Sequence, residues 1–593
     1  MKTSILKYAG AVLLIPTLTA CMDFDTPADE FATTEKEVSG TIYSGDADKL
    51  DYTVQPTEEE VEEAMSVFES EGYFGNILMA QYYLMGSKDG AMTSMHQYQY
   101  IYSLTTDNYA GYTTCTQSWG GKMETTYSYT RDFSEGPYGR FLSMKNYLGN
   151  PLNIDLANNI VEIKAICLLL FDYVAQENTD LYGSIPYVDH KANKETNPFA
   201  FNKGIDIYVS IIQNLDDIND CLANFENRPD WYKDQIQQVL WFYDGLTQDQ
   251  SIESWRRLAN SLKLRMAMHL VKVMPTEAQQ WAEEAVAAGV ISSQEQEVGL
   301  NRRTNCFEGH PLKGIMSSWN DVRVNASFVS MLTSLNHPYI DYFIEKNSDD
   351  LVNAETGEVF PANTAIVGLR AGLRMENSQQ YFSNMRVAYS QFTSENFSFM
   401  PLYAFKWAEA DFLRAEGALR GWDMGGSADF FYERGIRNAD CGERFDREEP
   451  DYDNRVDDYL AVETATPYTY IDPMDDANNI ESVTKIGVKW NDGDDPETKL
   501  EKIITQKYIA LFPYSYEAWT EMRRTGYPKI FPVLNPQLGD GSLQYGDLIR
   551  RMPLPHGDTQ AGMEDIQNSG IEALGGADLQ ATRVFWDTQD ANF

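Results

Sequence analysis

The chain has 593 residues and a formal net charge of −42 at pH 7, which excludes nucleic acids and anionic lipid surfaces as its general binding partners. The same charge disfavours an anionic polymer as ligand and favours a neutral one, unless a local basic patch overrides it. Hydrophobic residues make up 43% and aromatic residues 13% of the sequence, so the chain can form a full core and its acidity belongs to a solvated surface.

The first twenty residues have the pattern of a signal peptide. Lys2 and Lys7 precede an apolar run of about ten residues, which is too short to span a bilayer. The run ends in the letters LTAC, which resemble a bacterial lipoprotein box with Cys21 as the acylated residue. Several acyl chains at that position give durable anchoring to a membrane. The alternative is an ordinary secretory signal followed by an incidental cysteine.

Residues 21–56 are polar and acidic without helical periodicity, which favours a linker behind the lipidated terminus. Thr57 begins a capping-box-like TEEE, and apolar stripes at helical spacing follow it. These stripes lie at 160–174, 208–222, 255–266, 281–286, 404–419, 430–436 and 500–511.

The repeated helical stripes, without a convincing run of alternating strand residues, predict an all-α core built of antiparallel helix pairs. The chain has no strict 34-residue repeat, so any tetratricopeptide-like stacking of the pairs is degenerate. Residues 57–593 are predicted to form a single domain. Its loop-like stretches at about 301–372 and 441–497 are predicted to be insertions, where function tends to lie.

Neither a metal site nor a cofactor is predicted. The five cysteines after Cys21 form no disulfide framework, and Cys167 and Cys221 lie in helical patterns as small apolar residues. The six histidines are scattered without ligand spacing. An acidic turn at 492–495 offers oxygen ligands for Ca²⁺, but a solvated loop is the favoured interpretation.

No catalytic residue is predicted either. The chain lacks a nucleophile elbow, a phosphate loop and an HExxH motif, and its 89 acidic residues supply carboxylate pairs by chance. The block EAWTEMRRTGYP could be interpreted as an acid and base pair. However, Glu517, Glu521 and Arg524 fall on one helix face, while Trp519 and Tyr527 are spaced as packing residues, so a structural role is favoured.

The aromatic stretch 96–138 is the strongest indication of ligand chemistry. It holds ten aromatic residues among Gly, Thr, Ser and Asn, and is predicted to form loops. Sugar rings stack on Trp and Tyr, while their hydroxyls bind carboxylates, amides and guanidinium groups. The alternative is that these tyrosines pack the loops onto the helices. The candidate ligand residues are Asp107, Asn108, Tyr109, Tyr112 and Trp119, with Trp319, Asn320 and Arg323 in a second patch, SSWNDVR.

Four blocks of the sequence together resemble the SusD/RagB family of Bacteroidetes outer-membrane nutrient-binding lipoproteins, in particular its divergent second subgroup. They are the lipoprotein box with CMDFDTP, NTDLYGSIPY with the stripe at 208–222, ESWRRLANSLKLRM, and the pair ADFLRAEGALRGW and YEAWTEMRRTGYP. The letters RMPLP are similar to the family's closing motif. The chain then departs from the family pattern, because HGD stands where the family usually has Glu and Asn-Pro.

The resemblance covers residues 21 to 555 and implies a SusD-like helical body with four degenerate tetratricopeptide-like helix pairs. It also implies an outward-facing position on the outer membrane and a TonB-dependent SusC-like barrel as partner. Family members commonly place ligand aromatics in the early loops and the central insertion, so Trp119 and Trp319 are the preferred pair. The leading hypothesis is a non-catalytic glycan-binding lipoprotein that serves import. The alternatives are a peptide-capturing lid, a surface hydrolase and a purely structural surface protein.

Overall fold

A computed structural model describes most of the chain after its amino-terminal thirty residues. The described residues are 31–40, 42–86, 95–119, 125–129, 136–300, 309–338, 340–347, 350–352, 359–360, 365–374, 388–393, 397, 400–439, 452–557 and 559–593. The predicted signal peptide and Cys21 lie outside them, so both stay predictions. The same is true of the predicted domain boundaries.

Helices dominate the described residues. They are α1 Glu58–Ser70, α2 Tyr73–Leu84, α3 Met95–Tyr98, α4 Asp107–Tyr109, α5 Pro137–Asn153, α6 Val161–Tyr182, α7 Tyr187–Lys191, α8 Gly204–Asn224, α9 Asp230–Tyr243, α10 Ile252–His269, α11 Pro275–Ala288, α12 Leu312–Ser317, α13 Ala326–Ser334, α14 Ile340–Phe343, α15 Trp407–Leu419, α16 Ala428–Asn438, α17 Tyr452–Leu460, α18 Pro496–Leu511, α19 Ser515–Thr525, α20 Gln560–Asp565 and α21 Ile571–Leu574. The all-α prediction is confirmed.

The strands within the described residues are short and pair only in twos, all antiparallel. They are β1 Thr113–Cys115, β2 Ser184–Ile185, β3 Asn202–Lys203, β4 Val298–Leu300, β5 Val322–Val324, β6 Leu351–Val352, β7 Val359–Phe360, β8 Leu402–Phe405, β9 Thr469–Tyr470 and β10 Ile480–Glu481. Strand β8 pairs with β4, which is why helix α15 begins at Trp407 and not at the predicted residue 404.

Local signals in the sequence set several helix ends. The Thr57 hydroxyl accepts a hydrogen bond from the backbone N–H of Glu60, whose carboxylate accepts one from the Thr57 N–H, so the predicted capping box begins α1. Helix α6 follows the predicted apolar stripe from Val161 and continues for eight residues beyond the end of that stripe at 174. It stops at Gly183, whose φ of 80° is the left-handed conformation that glycine tolerates best.

Neighbouring helices bury the predicted apolar stripes against one another. Helices α5, α6, α8, α10 and α11 pack in succession, and α15 packs against α16, α18 and α10. Trp255 and Leu262 of α10 are fully buried, and so are Cys167 of α6 and Cys221 of α8, as predicted. No helix within the described ranges is long and apolar enough to cross a membrane.

The polar stretch before α1 differs from the predicted linker, because from residue 31 it lies against the helical body. Asp48 is buried and forms an ion pair with the buried Lys191 ammonium. The backbone N–H of Thr34 donates to the carbonyl of Gly575, which lies 541 residues later. Hydrophobic periodicity does not reveal this segment, since polar and ionic contacts hold it in place.

A buried ion cluster joins helices α10, α15, α18 and α19. Arg265 of α10 binds Glu409 of α15 through two hydrogen bonds of 2.6 and 2.9 Å. Arg524 of α19 binds Glu416 of α15 in the same two-pronged way, at 2.8 and 2.6 Å. All of the charged groups are at most 2% exposed. The ion cluster consists of Arg265, Glu409, Glu416, Lys507, Glu517, Glu521 and Arg524.

Lys507 of α18 lies at the centre of the ion cluster. Its ammonium donates to Glu517 at 2.6 Å and to Glu521 at 3.2 Å, both on α19. Burial alone raises the pKa of Glu517, but the Lys507 ammonium and the His269 ring outweigh that effect and hold the pKa well below its usual value. These contacts therefore favour the predicted structural role for the block EAWTEMRRTGYP.

Replacing Lys507 with methionine tests this arrangement. Lys507→Met leaves two buried carboxylates without their ammonium partner, so we expect the free energy of unfolding to fall by about 3 to 5 kcal/mol. Lys489→Met is the matched control, because Lys489 pairs with Glu463 at 2.8 Å on the exposed surface and contributes only about 0 to 1 kcal/mol. Denaturant unfolding of both variants gives the comparison. Equal losses would contradict the assignment.

Candidate functional site

The aromatic stretch that the sequence analysis predicts to be loops is largely helical at its start. Helix α3 runs into a π-helical segment, Gln99–Thr106, and then into α4. Tyr98, Tyr102 and Leu104 are buried, so these three side chains belong to the core. The loop prediction is therefore wrong for residues 96–109. Frequent Tyr, Thr and Ser lower helix propensity, and tertiary burial overrides that local preference.

Strand β1 brings this region against the second predicted patch. Thr113 pairs with Val324, and Cys115 with Val322. The pairing continues beyond the strands, because the Thr116 N–H donates to the carbonyl of Asp321 at 2.9 Å. The early aromatic segment and the SSWNDVR patch, some 200 residues apart in the sequence, are therefore adjacent in the fold.

The Asp321 carboxylate fastens the two segments together. Its two oxygens accept hydrogen bonds from the side-chain amides of Gln99 at 2.8 Å and Gln117 at 2.5 Å. Gln99 belongs to the π-helical segment and Gln117 follows β1. One carboxylate therefore holds the chain segments before and after β1 against the segment that leads into β5. Such charge-assisted hydrogen bonds are stronger than neutral ones.

Trp119 lies just beyond this ladder in a small aromatic cluster with Tyr100 and Tyr129. The indole is half-buried, and its ring centroid lies 6.5 Å from that of Tyr100 and 6.4 Å from that of Tyr129, edge to face in both cases. The indole Nε1–H has no hydrogen-bond partner among the described residues. That nitrogen is itself buried, so the aromatic cluster offers a ligand the partly exposed indole ring, which the two tyrosine rings support.

Trp319 leaves the ladder at the same end, on the partner segment. It is half-buried against the main core and follows Ser317 and Ser318, which are exposed. Asn320 adopts a φ of 58°, a left-handed conformation in which Asn is common, and its side-chain oxygen accepts a hydrogen bond from Arg323 at 2.9 Å. Arg323 is only 2% exposed, so it positions Asn320 and presents little surface of its own.

The other four predicted ligand residues are core residues in the structure, each at most 1% exposed. The Tyr109 ring packs against Trp519 with centroids 5.3 Å apart, and the Tyr112 hydroxyl donates to the carbonyl of Tyr508 at 2.5 Å. The Asn108 amide donates to the Thr126 carbonyl at 2.7 Å, and Asp107 accepts from the Ser515 hydroxyl at 2.5 Å. Ligand contact by these four residues stays an untested prediction, and their burial argues against it.

Tyr100 and Tyr129 complete the aromatic cluster without having been singled out from the sequence. Both lie inside the aromatic stretch 96–138, but composition does not separate tyrosines that face a ligand from tyrosines in the core. Only the position of Trp119 at the end of the ladder identifies the tyrosines beside it.

Two groups of side chains in the described residues have atoms that could bind a metal ion. The ring of His269 and the carboxylates of Glu517 and Glu521 offer ligand atoms within 4.8 Å of one another. However, the Lys507 ammonium already donates to both carboxylates, so this group needs no metal ion to neutralise it. In the acidic turn at 492–495, Asp494 pairs with Lys502 at 2.6 Å and Asp495 caps α18 through the Thr498 N–H.

Comparisons with known proteins agree with this architecture. The chain matches the SusD-like family model, described as Susd and RagB outer membrane lipoprotein, over residues 53–587. It is similar to the solved structure of a chitin-binding SusD homologue from Flavobacterium johnsoniae, with 27% identity, a TM-score of 0.72, and coverage of 88% of this chain and 100% of that one. SusD homologues from Bacteroides thetaiotaomicron and Bacteroides ovatus are each 27% identical, with TM-scores of 0.71 and 0.67 and coverage of 87% of this chain and 99% of theirs.

No curated protein matches the chain. The family model nevertheless spans nearly all of the described body, and the solved relatives share its helical fold over their whole length. The chain therefore belongs to the SusD/RagB family of outer membrane lipoproteins.

Proposed function

We propose that the protein is a non-catalytic, cell-surface glycan-binding lipoprotein that captures a neutral oligosaccharide and delivers it to a TonB-dependent SusC-like transporter. The observation that carries the proposal is the β1–β5 ladder, which places Trp119 and Trp319 at one end of a rigid strand pair. Each indole is half-buried, Trp319 against the main core and Trp119 against its own small cluster, so part of each ring is left for contact with a ligand.

Sugar chemistry fits these residues. The apolar C–H face of a sugar ring stacks on an indole, and the partly exposed Asn320 side chain supplies polar contacts for hydroxyl or acetamido groups. The net charge of −42 favours an uncharged glycan. The chitin-binding relative supports the same ligand class, because chitin is a neutral polymer of N-acetylated sugars.

Binding without catalysis fits the nearby acidic residue. Glycoside hydrolysis needs two carboxylates, one of them with a raised pKa, beside the scissile bond. The Asp321 carboxylate beside the ladder accepts two amide hydrogen bonds, which hold it as a structural group. Hydrolysis of a bound glycan by the purified protein would overturn this part of the proposal.

The ligand class is tested by calorimetric titration of the protein with chitooligosaccharides, other neutral oligosaccharides and peptides of matched length. Saturable heat with one neutral glycan series and none with peptides supports the proposal. The reverse result would establish the peptide-capturing lid that the family resemblance leaves as the alternative.

Replacing either indole should weaken glycan binding without affecting the fold. For Trp119→Ala and Trp319→Ala we expect a loss of about 1 to 3 kcal/mol of affinity, because each ring supplies a stacking face at the ligand. The matched control is Trp241→Ala, since Trp241 is 59% exposed on α9, away from the ladder. Titration and thermal melting of the same samples give both quantities.

Core residues would behave differently in this test. If the indoles only filled the core, their removal would lower the free energy of unfolding by about 3 to 5 kcal/mol. Affinity in the remaining folded fraction would then be normal. A lowered melting temperature with unchanged affinity would therefore contradict the binding role.

The lipid anchor is tested at Cys21. Cys21→Ala removes the acylated thiol, so we expect fatty-acid incorporation to stop and the protein to leave the membrane fraction. Metabolic labelling with a fatty-acid analogue, followed by fractionation, measures both effects. Cys167→Ala is the control, because this residue is buried in α6. Undiminished labelling of Cys21→Ala would refute the lipoprotein assignment.

Asp107 offers a test that distinguishes a core residue from a ligand residue. Burial raises the pKa of Asp107 from 3.8 to about 7, so the folded state keeps a proton that the unfolded state releases. The free energy of unfolding therefore falls as the pH rises from about 4 to about 7. Asp107→Asn removes the titration, and at pH 8 we expect it to be more stable than the wild type by about 1 to 4 kcal/mol, with unchanged glycan affinity. Weaker binding at unchanged stability would instead place Asp107 at the ligand.

A further inference from the structure

A cavity of about 330 Å³ lies at the carboxyl end of helix α19, away from the aromatic cluster. Its lining includes the last turn of α19, the turn after α10 that holds Lys272, and the carboxyl-terminal residues 588–592. Its rim is accessible to solvent, because Gly526 and residues 589–591 are exposed, while Arg523 and Arg524 at its floor are buried. We call it the cationic cavity.

The charge of the cationic cavity opposes that of the whole chain. Two acidic side chains, Glu497 and Asp590, face six basic ones in a protein of net charge −42. Walls of low dielectric strengthen such a local potential. The six basic residues are Lys272, Arg523, Arg524, Lys529, Arg550 and Arg583.

Part of this charge has a structural partner. Arg524 belongs to the ion cluster, where it binds Glu416 and Glu521. Arg550 and Arg583 both pair with Asp587, at 3.5 and 2.7 Å. The Asp547 carboxylate is also close enough to interact with both guanidinium groups, so these two cations are compensated within the protein.

The remaining three cations form no ion pair with a described residue. Arg523 donates to the backbone carbonyls of Asp180 and Arg550 at 2.7 and 2.8 Å, and its guanidinium lies 3.3 Å from the centroid of the Trp519 ring. Its hydrogen-bond partners are thus neutral, and the Asp180 and Asp587 carboxylates act on its charge only from beyond ion-pair distance. Lys272 and Lys529 have neither a hydrogen bond nor an ion pair with any residue that the structure describes.

Some buried polar atoms of the lining residues also lack hydrogen-bond partners among the described residues. They include two donors, the Thr588 hydroxyl and the Arg583 Nε–H, in residues that are 7% and 4% exposed, and one acceptor, the Asn592 side-chain oxygen. Buried donors of this kind cost free energy unless an acceptor binds them. An oxygen-rich ligand would supply the acceptors.

The pKa values of the cationic side chains agree with uncompensated burial. Burial lowers the pKa of Lys272, and the nearby Arg524 lowers it further, to about 8. Burial likewise lowers the pKa of Arg523 to about 10. Keeping the Lys272 ammonium and the Arg523 guanidinium charged in this buried position therefore costs free energy, and a bound anion would reduce that cost.

We propose that the cationic cavity binds a small oxyanion, that is, a phosphate, sulfate or carboxylate group. Guanidinium and ammonium groups donate hydrogen bonds to the oxygens of such anions, and a guanidinium does so in a two-pronged way. The anion is either a free inorganic ion or an acidic group on a sugar. This proposal is independent of glycan binding at the aromatic cluster.

Titration calorimetry of the full chain with sodium sulfate, and separately with a sulfated disaccharide, tests the proposal. The test variants are Lys272→Met and Lys529→Met, which remove charge while keeping an apolar stem. Neither ammonium forms a hydrogen bond or an ion pair with a described residue, and Lys529 has only a distant contact with the Tyr527 ring, at 5.8 Å from its centroid. We therefore expect unchanged melting temperatures. We expect the dissociation constant for sulfate to rise about tenfold or more in each.

The matched control is Lys164→Met. Lys164 is also buried with a pKa lowered by burial to about 8, but its ammonium donates to the Asp46 carbonyl at 2.8 Å, outside the cavity. It should bind sulfate like the wild type. Trp119→Ala should also leave sulfate binding unchanged, so failure of the glycan proposal would be distinguishable from failure of this one.

The pH dependence gives a second measurement. The charged groups around Lys272 are Arg524 of α19, Asp587 of the carboxyl-terminal segment, Glu497 of α18 and Arg420 of α15. Since an anion binds the protonated ammonium, sulfate affinity should fall as the pH rises through about 8 in the wild type. In Lys272→Met this fall should be absent.

Each outcome of the titrations leads to a different conclusion. Tighter binding of the disaccharide than of sulfate, with competition between them, supports the site and identifies an acidic sugar as the source. Binding of sulfate alone supports the site and identifies a free ion. The absence of saturable heat with either probe up to tens of millimolar, or equal binding by the wild type and both lysine variants, would overturn the proposal.

Discussion

The contact of the Lys507 ammonium with Glu517 and Glu521 holds helix α19 in the core, and both candidate ligand regions depend on that helix. At its amino end, the Ser515 hydroxyl binds Asp107 and Thr106, at the base of the aromatic segment. At its carboxyl end, Arg523 reaches the cationic cavity. A helix of 11 residues is roughly 16 Å long, so one rigid element connects the two regions.

Burying so many charges is favourable only because each carboxylate has a cation at hydrogen-bond distance. Burial alone raises the pKa of Glu416, but Arg524 and Arg420 outweigh burial and lower it from 4.5 to about 2. A carboxyl whose folded pKa lies below its unfolded value stabilises the fold above the unfolded pKa, and that stability is lost as the pH falls towards the folded one. Glu416 therefore stabilises the body at neutral pH, and its contribution is lost between about pH 4.5 and 2.

The sequence predicts those parts of the fold that short-range patterns encode. The Thr57 capping box, the apolar stripes of α8 and α10 and the stop at Gly183 are each contained within a few turns of chain. The short strands of two to four residues carry no readable alternation, so the β1–β5 pairing escapes prediction although it positions both candidate tryptophans. The burial of Tyr109 and Tyr112 is not predicted either, because residue type alone does not distinguish a tyrosine in the core from one that faces a ligand.

The cationic cavity shows why a net charge does not determine ligand chemistry. Its six basic side chains come from segments as far apart as Lys272 and Arg583, so no local run of charge announces them. Salt screens solvent-exposed charges beyond about 8 Å at physiological ionic strength, which weakens the far field of the acidic surface at the cavity. Groups on the buried floor are screened much less, so the local cations dominate there. At the aromatic cluster, ring stacking is insensitive to both effects. A single acidic body can therefore combine an aromatic cluster suited to a neutral sugar with a cationic cavity suited to an oxyanion.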